Sequence, residues 1–418
     1  MKPRFQPLLA SAALGLLLSC AAHAEKVTIT VSSFPDLDRG VKAAIPGFKK
    51  LYPDVEVKLS SMAYPDHHTA MTTALATGAN LPDVIGIDMG FIGKFVESGS
   101  LEDLSKAPYN ATAQVSRIAK FAVPAATSSK GALAALPVDI GPGALFYRTD
   151  LLQKAGVSEA EMTKSWEGFI AAGKKVKAST GAYMLANATD IKDIYIRAGL
   201  KDGEGIYFDS KGKSLVASER FERAFDLTRQ ARQAGIDAKV NAWTTEWSEG
   251  FRRDKIAAQM MGGWLSGHLK NWIVPETTGK WRSAQLPAGA FAAYGGSFYA
   301  VPAKAANKKA AWDFVQYLTL NKDQQLTAFR NMDAFPSLVE AQTDAFTDQP
   351  IEFLAGQKAR QLWKTAADRI PALAVDRYDP VAAEIVGAEL DKVLEQGKDI
   401  KQALADAKSG IERRVRRK

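Results

Sequence analysis

The segment KVTITVSS at residues 26–33 sets Val27, Ile29 and Val31 against intervening polar residues. Alternation with period two predicts a strand with one buried face. The period then changes: Val41, Ile45, Phe48 and Leu51 or Tyr52 recur at helical spacing. Pro46 is expected to kink that helix or to mark its true first turn. VEVKLSSM reads as a second strand, so residues 26–62 form a strand–helix–strand unit that favours parallel pairing. HHTAMTTALATG predicts a helix closed by Gly78. LPDVIGID predicts a third strand, and GFIGKFVESGSLEDL a helix ending near Gly99.

The pattern changes character in LPVDIGPGALFYRTDLLQKAGV (136–157), where Pro137, Gly141, Pro142 and Gly143 interrupt an extended apolar run. This is the expected crossing into a second domain. SWEGFIAAGKKV predicts a helix capped by Ser165. GIYFDSKGKSLV suggests a hairpin, and ERFERAFDLTRQARQAG a helix ending at Gly235. KIAAQMMGGWL reads as a strand. YGGSFYAVPAKAANKKAAWDFVQYLT (294–319) reads as a glycine-broken run, a strand and a helix, and the chain beyond Phe335 is mostly helical. The fold class is α/β.

Composition changes this picture at the N-terminus. With 418 residues, 46% hydrophobic and 24% charged, the chain has ordinary globular composition and length for two cores. Residues 1–24 differ: Lys2 and Arg4, then LLASAALGLLL, then Ala-His-Ala before Glu25, which is the pattern of a secretory signal. Cleavage after Ala24 is preferred, although Cys20 follows LLS and approximates a lipoprotein box that would tether the same protein to a membrane. Removal of residues 1–24 takes away two basic and no acidic residues, so the formal charge falls from +8 to +6. The basic tail ERRVRRK reads as a solvated helix end, not as a nucleic-acid surface. Without Cys20 there is no disulfide, thiol nucleophile or cysteine-based metal site.

Catalytic signatures are lacking. No GxGxxG, GxSxG or phosphate-loop spacing occurs; Tyr207 stands where the phosphate loop needs its first glycine. Adjacent His67 and His68 point about 100° apart on a helix, so they read as a surface pair, not as a metal chelate. No catalytic residue, metal ligand or cofactor is assigned. The aromatic residues stand out instead. Trp243 and Trp247 are four apart, Tyr294 adjoins Gly295, Gly296 and Ser297, and Trp264 follows Gly262 and Gly263 in QMMGGWLSG. Aromatic faces bordered by glycines and short polar residues suit a pyranose ring, with its C–H bonds on the faces and hydroxyls on the edge.

Several stretches, in order, resemble the extracellular solute-binding proteins of ATP-driven sugar importers, the family that contains maltose-binding protein. They are VTITV, IPGFKKLYPDVEV, HTAMTTALATGANLPDVIGID, PVDIGPGALFYRTDLLQKAGV, EGFRRDKIAAQMMGGW, YGGSFYAVPAKAANKKAAWDFVQYLT and ALADAKSGIERRV. The resemblance implies two α/β lobes joined by hinge strands, with residues 25–139 and 299–332 in one lobe and 140–298 and 333–418 in the other. It implies a monomeric periplasmic receptor that closes on a carbohydrate and presents it to membrane permease subunits.

Carried onto this sequence, the ligand contacts would be Phe34, Asp36, Tyr64, Asp88 and Asp139 from the first lobe and its crossing. The second lobe would add Asn187, Asp190, Trp243 and Trp264, with its glycines admitting the sugar and presenting the indole flat. Tyr294, Gly296 and Ser297 would lie on the return crossing, and Tyr378 would reach in from the C-terminal helices. PDLDRG and the proline-rich DIGPG depart from many relatives. A receptor for a polyamine or glycerol phosphodiester is the alternative. Adjacent tyrosines expected of ferric receptors are absent, and an exported glycosidase or an adhesin are the other classes.

Overall fold

The computed structural model describes residues 26–415, so the expected signal segment and Cys20 lie outside the described residues. Eight strands form one mixed sheet: β1 (Val27–Ser33), β2 (Val55–Ser61), β3 (Val84–Asp88), β4 (Leu136–Arg148), β5 (Ala258–Gly262), β6 (Trp281–Ala284), β7 (Ala293–Ala300) and β8 (Phe335–Pro336). The order is β2-β1-β3-β7-β4-β5, with β6 and β8 also paired to β4. β1 runs parallel to β2 and β3, as the opening strand–helix–strand unit requires. β7 enters antiparallel between β3 and β4.

Two regions of core lie along the sheet. One gathers Ile29, Val31, Phe48, Ile85, Ile87, Phe298 and Phe314 around the parallel strands. The other is made of adjoining clusters, around Phe146, Met261 and Trp363, around Leu145, Phe169 and Met260, and around Phe225, Val386 and Leu404. β4 and β7 run from one region into the other: Leu136 and Val138 pack in the first, Ile140 and Phe146 in the second. Both prolines of β4 fall beside register shifts, between Pro137 and Asp139 and between Ile140 and Pro142. Proline cannot donate to a ladder, so a central strand accepts it where pairing is already broken. Leu338 and Ala341 return to the first core, which places that packing beyond residue 332.

Two local expectations are corrected. The first helix spans Leu37–Leu51 with Pro46 inside it, so Pro46 does not mark its first turn. The helix expected after β3 covers only Ile92–Val96, because residues 97–101 bend to pair Leu101 with Pro302. The hairpin expected near Tyr207 is present but short: one antiparallel bridge joins Phe208 and Ser214 across a turn closed by the Gly212 N–H donating to the Asp209 carbonyl. Gly78 and Ser165 cap their helices as the sequence indicates.

Candidate functional site

Between the two core regions lies a cleft of about 870 Å³, within the usual range of small-molecule sites. Its floor is made where the strands cross. Ser297 pairs with Asp88 on one side and with Asp139 on the other. The three residues thus form one row across β3, β7 and β4, with neighbours about 5 Å apart at the backbone. Burial pushes the Asp139 carboxyl up to about 6, opposed by its bonds to Ser297 and reinforced by the charge of Asp88. Its Oδ1 is buried without a hydrogen-bond partner among the described residues. Burial also raises Asp88, against the pull of its bonds to Gly90 and Tyr64.

The first-lobe wall is set by the helix Tyr64–Thr77. Tyr64 donates its hydroxyl to Asp88 Oδ1 at 2.8 Å and meets Phe34 edge-on at 5.5 Å. Behind them stand His67 and His68, which are buried; the expected surface pair is a correction. His68 accepts from the Asp88 backbone N–H at Nε2, and its Nδ1 bonds the Tyr64 carbonyl at 2.8 Å. This pattern fixes the neutral Nδ1–H tautomer. His67 bonds the Gly86 carbonyl through Nε2. Burial lowers both imidazoles to about 4, so the pair acts as a neutral brace for Tyr64 and Asp88.

The opposite wall is aromatic. Trp264 and Trp243 lie nearly parallel, centroids 5.8 Å apart, and His268 meets both edge-on. Trp272 continues the series beyond His268. Trp243 is 53% exposed and has φ 69°, a left-handed conformation costly for a bulky residue. The glycines of QMMGGWLSG serve the indoles themselves. A Cβ on Gly262 would sit 2.2 Å from Trp264 Nε1, and one on Gly263 would sit 2.9 Å from the Trp363 ring. Trp264 Nε1 donates to the Tyr294 carbonyl at 2.8 Å, which pins the ring edge. The expectation that these glycines admit a ligand is corrected: they clear space for two tryptophans.

Phe34, Asp36, Tyr64, Asp88 and Asp139 border the cleft, as do Trp243, Trp264, Tyr294, Gly296 and Ser297. Asn187, Asp190 and Tyr378 are not on its wall. Asn187 turns inward to Asn241 at 2.9 Å. Asp190 is buried against Gln259 Nε2 at 2.9 Å, and desolvation raises its carboxyl to about 7. Tyr378 packs against the core around Val386, and Asp379 beside it borders the cleft instead.

The sequence reading missed Arg197, His268, Trp272 and the strap formed by residues 371–378. Trp264, His268 and Trp272 recur every fourth residue, a signal that was legible; Arg197 has none. Asp36 Oδ2 stands 3.2 Å from His268 Nδ1, across the cleft and off hydrogen-bonding angle. The strap is tied to the second lobe by the Gly203 N–H donating to the Ala372 carbonyl. It also touches the first, where a Cβ on Gly93 would fall 2.6 Å from the Asp376 carbonyl oxygen.

Two core regions, crossing strands and an intervening cleft define a two-lobe binding protein. The model of the bacterial extracellular solute-binding protein family matches residues 32–325, and the chain belongs to that family. It is 30% identical over 382 residues to the lactose-binding protein of Rhizobium radiobacter, covering 86% of each chain. It is 25% identical over 282 residues to the arabinooligosaccharide-binding protein of Bacillus subtilis (strain 168), covering 65% of this chain and 64% of that protein. A transporter-associated binding protein of B. animalis subsp. lactis, solved with beta-1,6-galactobiose, superposes with TM-score 0.79 at 22% identity, covering 94% of this chain and 98% of that one. The family is one of extracellular binding proteins, not of enzymes. No helix among the described residues is long and apolar enough to cross a membrane.

Proposed function

We propose that the protein is the periplasmic receptor of an ATP-driven importer and binds a sugar or oligosaccharide between its lobes. The observation that carries this reading is the pairing of an aromatic wall with a carboxylate floor in one cleft. Trp264, Trp243 and Tyr294 offer faces to the C–H side of a pyranose, while Asp88 and Asp139 accept from its hydroxyls. The relatives named for lactose, arabinooligosaccharide and galactobiose support the same solute class. Closure about β4, β7 and β8 would hold the ligand between the lobes and present the closed form to the permease. Export by residues 1–24, with cleavage after Ala24 in preference to anchoring through Cys20, belongs to the same proposal.

A thermal-shift screen of the chain from Glu25 against mono- and oligosaccharides, polyamines and glycerol phosphates tests it. A ligand at 100 times its dissociation constant stabilises the native state by about 2.7 kcal/mol. Stabilisation by a saccharide recovered intact supports the reading. A cleaved saccharide, or a response to polyamines or phosphate esters alone, sinks it.

Binding is expected to release protons in mild acid. Asp139 titrates near 6 when folded against a usual 3.8, so the free native state holds more protons than the unfolded state between those values. Stability from this group is therefore greatest below 3.8 and falls as pH rises through about 6. A sugar hydroxyl donated to Asp139 favours the ionised form, so affinity rises over the same interval. Calorimetry in buffers of different ionisation heat would detect the released proton; no proton release at pH 5.5 would remove Asp139 from the contacts.

A further inference from the structure

Arg197 follows the helix Thr189–Tyr195 in the second lobe and borders the cleft. Its Nη1 donates to the Asp193 main-chain carbonyl, the only hydrogen bond of its guanidinium among the described residues. The Asp193 carboxylate stands 4.0 Å away and is held by Lys192. The guanidinium lies over the Tyr294 ring at 4.8 Å, which fixes its plane and leaves its other N–H groups for the cavity. Asp88, at the end of β3 in the first lobe, uses Oδ1 for both Tyr64 and Gly90. Oδ2 remains. Arg197 and Asp88 form no ion pair within 4.0 Å, yet each charge stabilises the other. They flank a gap that neither spans.

We propose that Arg197 and Asp88 are a donor–acceptor pair, one from each lobe, that reads adjacent hydroxyls of one ring and selects a neutral saccharide over its acidic and amino counterparts. The proposal rests on the saccharide reading above and names which saccharides. Two neighbouring hydroxyls satisfy both groups at once: one accepts from Arg197, the other donates to Asp88. A uronate would gain Arg197 but would place its charge against Asp88 and Asp139, both already desolvated. An amino sugar would gain the carboxylates and face Arg197. Either leaves a charge unpaired in a closed cleft, the costly case for a buried ion. Loss of one partner also strands the other, so the two sites are energetically coupled.

The test is calorimetric titration of the wild-type chain, R197Q, R197K, D88N and the R197Q/D88N double variant. The probes are lactose and β-1,6-galactobiose, with digalacturonate as the acidic and the glucosamine dimer as the cationic disaccharide. Thermal midpoints of the ligand-free variants establish that each folds. The expected result is binding of a neutral disaccharide only, weakened about 10- to 100-fold in R197Q, the size of a lost hydrogen bond to a charged group. R197K should recover part of the loss, because an ammonium donates without the planar fork. The double variant should lose much less than the product of the two single losses. Wild-type affinity in R197Q, or independent losses in the double variant, overturns the pairing and leaves the saccharide reading intact. Tighter binding of digalacturonate than of either neutral disaccharide, abolished in R197Q, overturns the neutral selection. A wild-type chain that binds none of the saccharides, and is stabilised by none in the wider screen, overturns the underlying reading and this assignment with it.

Discussion

Gly141→Ala is expected to lower stability by about 3 kcal/mol or more, the upper part of the range for overpacking a closed site. A Cβ at this position would fall 1.9 Å from the Tyr294 carbonyl oxygen, 2.6 Å from its carbon and 2.9 Å from the Gly295 oxygen. All three are backbone atoms of β7, so no rotamer change relieves the contact. The strands would have to separate where β4 already shifts register between Ile140 and Pro142. That crossing also carries the cleft floor, because Asp139 and Ser297 pair beside it. The variant should therefore lose ligand affinity as well as several degrees of thermal midpoint. Gly387→Ala is the matched control. It lies in the helix Asp379–Gln396 with nothing within 4 Å of an added Cβ. A helical Gly-to-Ala change in open space should stabilise by roughly 0.5–1 kcal/mol. Equal midpoints for the two variants would show that the crossing tolerates separation.

What the chain reveals before folding depends on the range of the interaction. Period-two alternation placed β1, and helical spacing placed the helix beside it, because each pattern records which neighbours share a face. Trp264, Tyr294 and Ser297 were visible because glycine and aromatic residues adjoin locally. Asp190 was misjudged for the opposite reason. Its partner Gln259 is 69 residues away, and only the fold shows that the carboxyl turns inward. His67 and His68 read as a surface pair in sequence, yet the polar atoms that satisfy them are the Ser32 hydroxyl on β1 and backbone groups of β3 and of Tyr64. Arg197 carries no periodic or compositional mark; its meaning comes from Tyr294 beneath it and Asp88 across the cleft.

The paired glycines of QMMGGWLSG separate two tryptophans with different tasks, and that separation can be measured. Trp264→Ala removes a half-buried indole from the cleft wall, together with its bond to the Tyr294 carbonyl and its contact with Trp243. If the indole stacks on the sugar, affinity should fall by about 2–4 kcal/mol, a dissociation constant weaker by roughly 30- to 1,000-fold. The thermal midpoint without ligand should change little, because the lost contacts border solvent. Trp363 is the contrast. It is fully buried against Phe146, donates to Ser283 Oγ at 3.0 Å, and fills the space that Gly263 leaves. Trp363→Ala should cost about 3–5 kcal/mol of stability, with binding impaired only as far as the lobe loosens. Trp264→Phe keeps a stacking face and loses the N–H, so it should lie between wild type and Trp264→Ala in affinity. A Trp264→Ala protein that binds like wild type but melts early would make this indole a core residue, and the aromatic wall would no longer support sugar recognition.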